Sequence, residues 1–207
     1  MGCLETDAVR GPLTQGGGTL GPLVSDALLA AFPDAQVAVQ NAGGLRDNLS
    51  AGTVRQRDID QVMPFRDHAN QVSLSGADLL RALEVATSGA HGGLIPAGLT
   101  YTVTSGAGVD RDLDGDGQQS LWERDRLCTV RVGGAPLQAD ATYAVVVSDF
   151  LLGGGDHQAT GLGRGANPQP GPRVADAIRA HISSAGEDCR AVDAAVRIDV
   201  MDCDPGQ

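Results

Sequence analysis

Aromatic side chains are scarce in this 207-residue chain: one Trp, two Tyr and three Phe make up 3% of it. A ring in a glycine-rich loop is therefore not filler, and Phe65 and Phe150 both occupy such positions. No run of eighteen apolar residues exists, which excludes a membrane-spanning helix. Positive charge is also in deficit, 15 Lys and Arg against 26 Asp and Glu. The net charge of -11 would repel a nucleic-acid backbone or an anionic membrane at long range. The four cysteines, Cys3, Cys128, Cys189 and Cys203, include no CxxC pair, so zinc and thiol-redox centres are disfavoured. Disulfides and reduced core thiols both remain open. Cys189 and Cys203 bracket the last expected strand and are the expected pair if the protein is exported. No GxGxxG or P-loop spacing marks a dinucleotide or ATPase fold.

With 42% hydrophobic residues, the chain can bury a substantial core as one domain, expected over 1–207. Met1-Gly2-Cys3-Leu4-Glu5-Thr6 happens to fit the myristoylation pattern, but an excised fragment with an added methionine is the expected explanation and acylation is not expected. Helical spacing of Leu20, Leu23, Val24, Ala27 and Leu28 after Thr19 predicts a first helix, and Val37-Ala38-Val39-Gln40 a strand. A short helix is expected over Thr53 to Val62, stopped at Met63-Pro64. A strand at 71–74 then leads to a helix capped by Ser75. Gly92-Gly93 and Pro96 are expected to break the chain before strands at 99–103 and 128–132, and Gly133-Gly134 to close a hairpin. The segment 142–147 is the most apolar strand and is expected at the centre of the sheet. Pro172 is expected to open a helix carrying Val174, Ile178 and Ile182, and 196–200 to form the final strand. The fold class is thus α/β (mixed α+β), a mixed sheet system with helices packed on it.

Two loops at strand ends carry the candidate chemistry. The first, Asn41-Ala42-Gly43-Gly44-Leu45-Arg46, sets an amide and a forked guanidinium beside two glycines that permit close approach of a ligand to the backbone. The second, Asp149-Phe150 through Gly153-Gly154-Gly155-Asp156, carries a ring and a carboxylate. Phe65 follows a chain-bending proline, either as an exposed ring or as a core anchor. Together Asn41, Arg46, Phe65, Phe150 and Asp156 suit a flat heteroaromatic ring bearing a sugar: aromatic faces stack on a base, and the polar groups bind hydroxyls.

The order of Asn41 to Arg46, then Val62-Met63-Pro64-Phe65, then Asp149-Phe150 to Gly154-Gly155-Asp156, resembles the C-terminal, substrate-binding domain of the 5'-nucleotidase, UDP-sugar hydrolase and 2',3'-cyclic phosphodiesterase family. The resemblance runs from about Leu20 to Ile182. It implies a nucleoside or nucleotide ligand whose base is sandwiched between Phe65 and Phe150. It further implies a site comprising Asn41, Gly43, Gly44, Arg46, Gly154, Gly155 and Asp156, the last contacting ribose. Relatives carry another arginine and a Glu-x-Asn-Leu-Gly run before the first helix, where this chain reads Gln15-Gly16-Gly17-Gly18-Thr19-Leu20-Gly21. A phosphate or ribose contact is therefore lost unless Arg10 replaces it. The family's two-metal hydrolytic centre lies in an N-terminal domain. His68, His91, His157 and His181 are scattered and form no such ligand cluster. Divalent metals such as zinc or manganese, and catalysis itself, are expected only in that partner domain. The implied setting is a secreted, periplasmic or cell-surface protein. The alternative is a stand-alone calcium-stabilised nucleoside-binding or interaction module without hydrolase activity.

One further motif is independent of the resemblance. Residues 112–123 fit the twelve-residue calcium loop D-x-D-x-D-G-x5-E at each defining position. Asp112, Asp114 and Asp116 supply carboxylates, Gly117 the turn, Gln118 a carbonyl, Ser120 the position where water often bridges, and Glu123 a bidentate closure. Six acids face two arginines between Asp110 and Asp125, a concentration of charge that calcium relieves. The loop lies between two expected strands, as a hairpin inserted at about 105–127. A solvated acidic loop is the competing reading.

Overall fold

The computed structural model describes residues 2–13, 17–91, 93–186 and 188–205. In chain order the elements are β1 (Gly2–Leu4), α1 (Leu20–Ala30), β2 (Val37–Asn41), β3 (Gly52–Val54), α2 (Gln56–Val62), β4 (His68–Ser75) and α3 (Gly76–Thr87). There follow β5 (Leu94–Ala97), β6 (Leu99–Thr104), β7 (Val109–Asp110), β8 (Arg124–Asp125), β9 (Leu127–Val132) and β10 (Ala135–Pro136). The chain continues through β11 (Thr142–Ser148), α4 (Asp149–Leu152), β12 (Ala166–Arg173), α5 (Val174–Ser183) and β13 (Ile198–Met201).

A five-stranded sheet in the order β12-β4-β11-β2-β5 forms the middle layer. β11 is its central strand, parallel to β2 and antiparallel to β4. Both faces of this sheet are covered. Ala38, Ala69 and Val146 pack with Leu20, Val24 and Leu28 of α1 and with Val174, Ile178 and Ile182 of α5. Val37, Val39, Val72, Val145 and Val147 face the other way, onto Leu79 and Leu83 of α3 and the inner residues Leu99, Tyr101, Leu127 and Val130 of the second sheet. Two-sided burial explains why β2 and β11 read as apolar runs without alternation. The second sheet has the order β10-β9-β6-β13, and Gly133-Gly134 turns β9 into β10 with Val132 opposite Ala135. β7 and β8 pair alone and close the inserted hairpin.

Four sequence expectations are corrected. Gly52–Val54 is a strand, because it pairs with β1 with Thr53 opposite Cys3. The helix starts only at Gln56, where the Asp58 carboxylate accepts from the Arg55 amide at 2.8 Å. Pro96 does not break the chain but lies within β5, and Pro172 lies within β12 rather than opening α5. Both strands are edges of the main sheet, where a missing N–H costs no ladder hydrogen bond and discourages further strand pairing. The α5 helix begins at Val174, whose amide donates to the Asp67 carbonyl at 3.0 Å. Thr19 precedes α1 without capping it, since its hydroxyl accepts from the Val9 amide instead.

The expected Cys189–Cys203 pairing is also overturned. The disulfides are Cys3–Cys189 and Cys128–Cys203. β13 separates Cys189 from Cys203, and its ends are drawn to different neighbours. Arg190 exchanges backbone hydrogen bonds with Cys3 and Glu5. At the other end, β13 lies parallel to β6, whose opposite neighbour β9 carries Cys128. No cysteine is free among the described residues.

The two crosslinks close loops of 186 and 75 residues, long enough for a large loss of unfolded-chain entropy. Replacing Cys128 and Cys203 together by Ser is expected to lower stability by roughly 2–5 kcal/mol. Urea unfolding checks this, with thiol titration of the unreduced denatured protein expected to find no reactive cysteine.

Candidate functional site

Because β2 and β11 are adjacent and parallel, the loops leaving their C-terminal ends emerge side by side. β4 runs antiparallel to β11, with Ala69 opposite Ser148, so the turn that enters β4 arrives at the same end. Three segments distant in sequence, at 41–46, 63–67 and 149–156, are brought together by this strand arrangement alone. Crevices at the carboxyl ends of parallel strands are the usual ligand sites of such sheets.

The first loop is a 3-10 turn, Ala42–Gly44, following Asn41. Asn41 is only 7% exposed and its amide is oriented from both sides. The Gln40 Nε2 donates to Asn41 Oδ1 at 2.9 Å, and Asn41 Nδ2 donates to Asp156 Oδ2 at 2.9 Å. Gly44 is required here, because a Cβ would stand 2.6 Å from Gln40 Nε2 and 2.8 Å from Asn41 Oδ1. Arg46 is exposed; it donates from Nη1 to the Gly43 carbonyl at 3.0 Å and lies with Cζ 6.0 Å from the centre of the Phe65 ring. That places a cation at the outer limit for attraction to the ring face.

Phe65 and Phe150 are 45% and 44% exposed. Phe65 is therefore not a core anchor. Ser148 caps α4 by accepting from the Leu151 amide, which presents Phe150 in the first turn. A Cβ on Gly155 would fall within 2.6 Å of Phe150 ring atoms, so the ring lies directly over that glycine. Gly154 supplies a left-handed residue, φ 90°, that turns the chain toward Asp156.

Asn41, Gly43, Gly44, Arg46, Phe65, Phe150 and Asp156 line one cleft of about 310 Å³. Gly154 and Gly155 do not line it; Gly155 lies against the Phe150 ring. Asp67 also lines the cleft and was not anticipated, although it stands two residues after Phe65. Burial, then the charge of Asp149, raises its carboxyl above the ordinary range, with His68 opposing. Arg10 does not line this cleft. Its Nη1 donates to the Arg46 carbonyl at 3.1 Å, and its side chain borders a neighbouring cavity on the far side of the Asn41 loop. That contact holds the Arg46 backbone and not its guanidinium. Gln15 and Gly16 lie outside the described residues.

In the inserted hairpin, oxygens of Asp112, Asp114 and Asp116 lie within 4.8 Å of one another. Asp112 accepts from the Gly115 and Gly117 amides at 2.6 and 2.8 Å, Asp114 from Asp116 at 3.1 Å, and Asp116 from Gln118 at 2.7 Å. Glu123 stands apart from that cluster. It is 1% exposed, and its two oxygens accept from the Ser120, Leu113 and Asp114 amides at 2.6, 2.7 and 3.0 Å. The Ser120 amide is the leading cause holding its carboxyl below the ordinary range. Gln118 and Ser120 are exposed on the rim of the loop.

The fold and cleft define a layered α/β domain whose site is built from loops at the carboxyl ends of two parallel central strands. It belongs to the 5'-nucleotidase C-terminal domain family, whose model matches residues 2–162. The chain is 32% identical over 127 residues to a 5'-nucleotidase of Vibrio cholerae, a match spanning 59% of this chain and 19% of that protein. It is 27% identical over 190 residues to the endonuclease YhcR of Bacillus subtilis, spanning 90% of this chain and 14% of that protein. The crystal structure of a 5'-nucleotidase precursor from Thermus thermophilus superposes with a TM-score of 0.79 at 25% identity, over 97% of this chain and 39% of that one. The chain thus spans well under half of the relatives that it matches.

The raised Asp67 carboxyl has a stability consequence. The charged form is disfavoured in the folded state, so the group's contribution is intact below its ordinary value of 3.8 and is lost as pH rises through the folded value. Asp67→Asn is therefore expected to stabilise the protein at pH 7 and to lose that advantage at pH 3.5, as read from urea midpoints at the two pH values.

Proposed function

We propose that this chain is the nucleoside-binding domain of an exported 5'-nucleotidase-type phosphoesterase. The base stacks between Phe65 and Phe150, Asp156 and Asn41 bind the ribose, and Arg46 takes an oxygen-rich part of the ligand. The carrying observation is that two rings, each nearly half exposed in a chain with 3% aromatics, line the same cleft as the amide, guanidinium and carboxylate matching the family's motif. Exposed aromatics lose apolar burial, and a ligand that covers them restores it. Hydrolysis belongs to an N-terminal metallophosphatase domain of the same protein, with zinc or manganese as its divalent metals. Export is supported by the two disulfides. No helix among the described residues is long and apolar enough to cross a membrane.

Titration calorimetry with adenosine tests the reading. Phe150→Ala is expected to weaken binding by about 1–3 kcal/mol, the contribution of one stacking face. Equal affinities of the variant and the wild type remove the sandwich.

The inserted hairpin takes calcium in a structural role, pinning the loop between β7 and β8. Support comes from the twelve-residue motif and the convergence of the Asp112, Asp114 and Asp116 oxygens; Glu123 closes the loop through backbone amides. Calcium at about a hundred times its dissociation constant is expected to stabilise the wild type by about 2.7 kcal/mol. Asp116→Asn keeps an acceptor for the Gln118 amide while removing a charge, and should lose most of that gain. Thermal melts with calcium and with chelator decide it; an identical rise in the variant means that the loop is not a calcium site.

A further inference from the structure

Asp156 and His157 have φ values of 54° and 59°. Two successive residues with side chains in the left-handed region are disfavoured by their Cβ atoms and persist only where surrounding contacts hold them. The contacts on Asp156 are those of its carboxylate: Asn41 Nδ2 at 2.9 Å on Oδ2 and His91 Nδ1 at 3.7 Å from Oδ1. The second contact is too long for a hydrogen bond, so acceptor capacity remains on the side of the cleft.

His157 is held by rings. Its imidazole stacks on the Trp122 indole with centroids 4.5 Å apart and planes 21° from parallel, and the His91 ring lies tilted at 4.9 Å. Trp122 is the chain's sole tryptophan, yet it belongs to neither apolar core and does not line the cleft. It is the eleventh residue of the twelve-residue segment 112–123 within the inserted hairpin. A second tie joins the same two segments: the Thr160 hydroxyl donates to the carbonyl of Leu113 at 3.0 Å, and Leu113 is fully buried. The hairpin therefore leans on the turn that carries Asp156, with its one large ring placed against His157.

We infer that Trp122 is a positioning residue for the sugar-binding carboxylate: by clamping His157 it keeps Asp156 in its left-handed turn, set against Asn41 and facing the cleft. The ligand chemistry at this point is a vicinal diol, as in ribose, which a carboxylate accepts through two hydroxyl hydrogens. The inserted hairpin thereby sets preference for the sugar while the phenylalanines grip the base. The inference rests on the nucleoside reading of the cleft, and it requires no ion in the hairpin.

Calorimetric titration of the full chain with adenosine and with 2',3'-dideoxyadenosine separates the two contributions. The wild type should prefer adenosine by about tenfold, the loss expected when a charge-assisted hydrogen bond is missing. Trp122→Ala should erase most of that preference while leaving the dideoxynucleoside affinity within about twofold, and Trp122→Phe should restore part of it. Trp122→Ala added to Asp156→Ala should weaken adenosine no further than Asp156→Ala alone. An equal loss for both ligands, or an undiminished preference, overturns the inference.

If Trp122→Ala fails to fold, His157→Ala removes the same stack from the other side and should give the same pattern. If the wild type binds neither ligand, the nucleoside reading fails by itself. The positioning claim is then decided without ligand, by amide NMR. The Asp156 backbone and Asn41 side-chain resonances should move in His157→Ala and Trp122→Ala, and stationary resonances overturn it.

Discussion

Two strands that run the same way side by side, β2 and β11, set where every part of the cleft emerges. Parallel pairing places both of their carboxyl ends at one edge of the layer, so loops more than a hundred residues apart in sequence become neighbours. The antiparallel β4 then delivers Phe65 and Asp67 to the same edge. Had β11 paired with β2 in the opposite sense, Asp156 would leave at the far end and Asn41 would lose its partner. The 2.9 Å hydrogen bond between these two residues is the visible joint of that arrangement, linking the first loop to the second across the mouth of the cleft.

That pairing is held by burial on both faces. Val146 points into the core beneath α1 and α5, while Val145 and Val147 point into the one shared with α3 and the second sheet. The strand cannot slip by one residue without exchanging these sets, but apolar residues on both sides make such a slip less costly than in a one-sided sheet. Register is helped from the ends: Ser148 caps α4 immediately after β11, and Ser75 caps α3 immediately after β4. Both caps lie directly at strand ends, so strand pairing and helix start constrain each other. The proline-bearing edges, β5 and β12, end the sheet.

Much of this was legible because local chemistry and tertiary role coincide. The apolar run at 142–147 could only be buried on both sides, and the Ser75 cap and the Gly133-Gly134 turn follow from side-chain and backbone chemistry that needs no distant partner. The cleft residues were legible through motif order rather than through physics, since nothing local says that Asn41 meets Asp156. What was missed depends on distant pairing. Thr53 and Val54 become a strand because β1 reaches them. Pro96 is tolerated because β5 happens to be an edge. Cys189 finds Cys3 rather than Cys203 because α5 ends beside β1 and β13 turns away. Asp67 carried a weak signal, its place two residues from Phe65. His157 carried only its place beside the second loop and His91 none, the two being sixty-six positions apart until the fold brings them within ring contact.

The Cys3–Cys189 crosslink, described above as a constraint on the unfolded chain, also changes how the molecule bears load. It joins positions 186 residues apart, so tension entering near Cys3 and leaving near Cys189 passes through a covalent bond and not through the sheet. A protease that cuts any loop between them, the inserted hairpin included, leaves its fragments tethered, and the layers around the cleft can stay assembled. The bond converts a long chain into a closed ring whose damage is local.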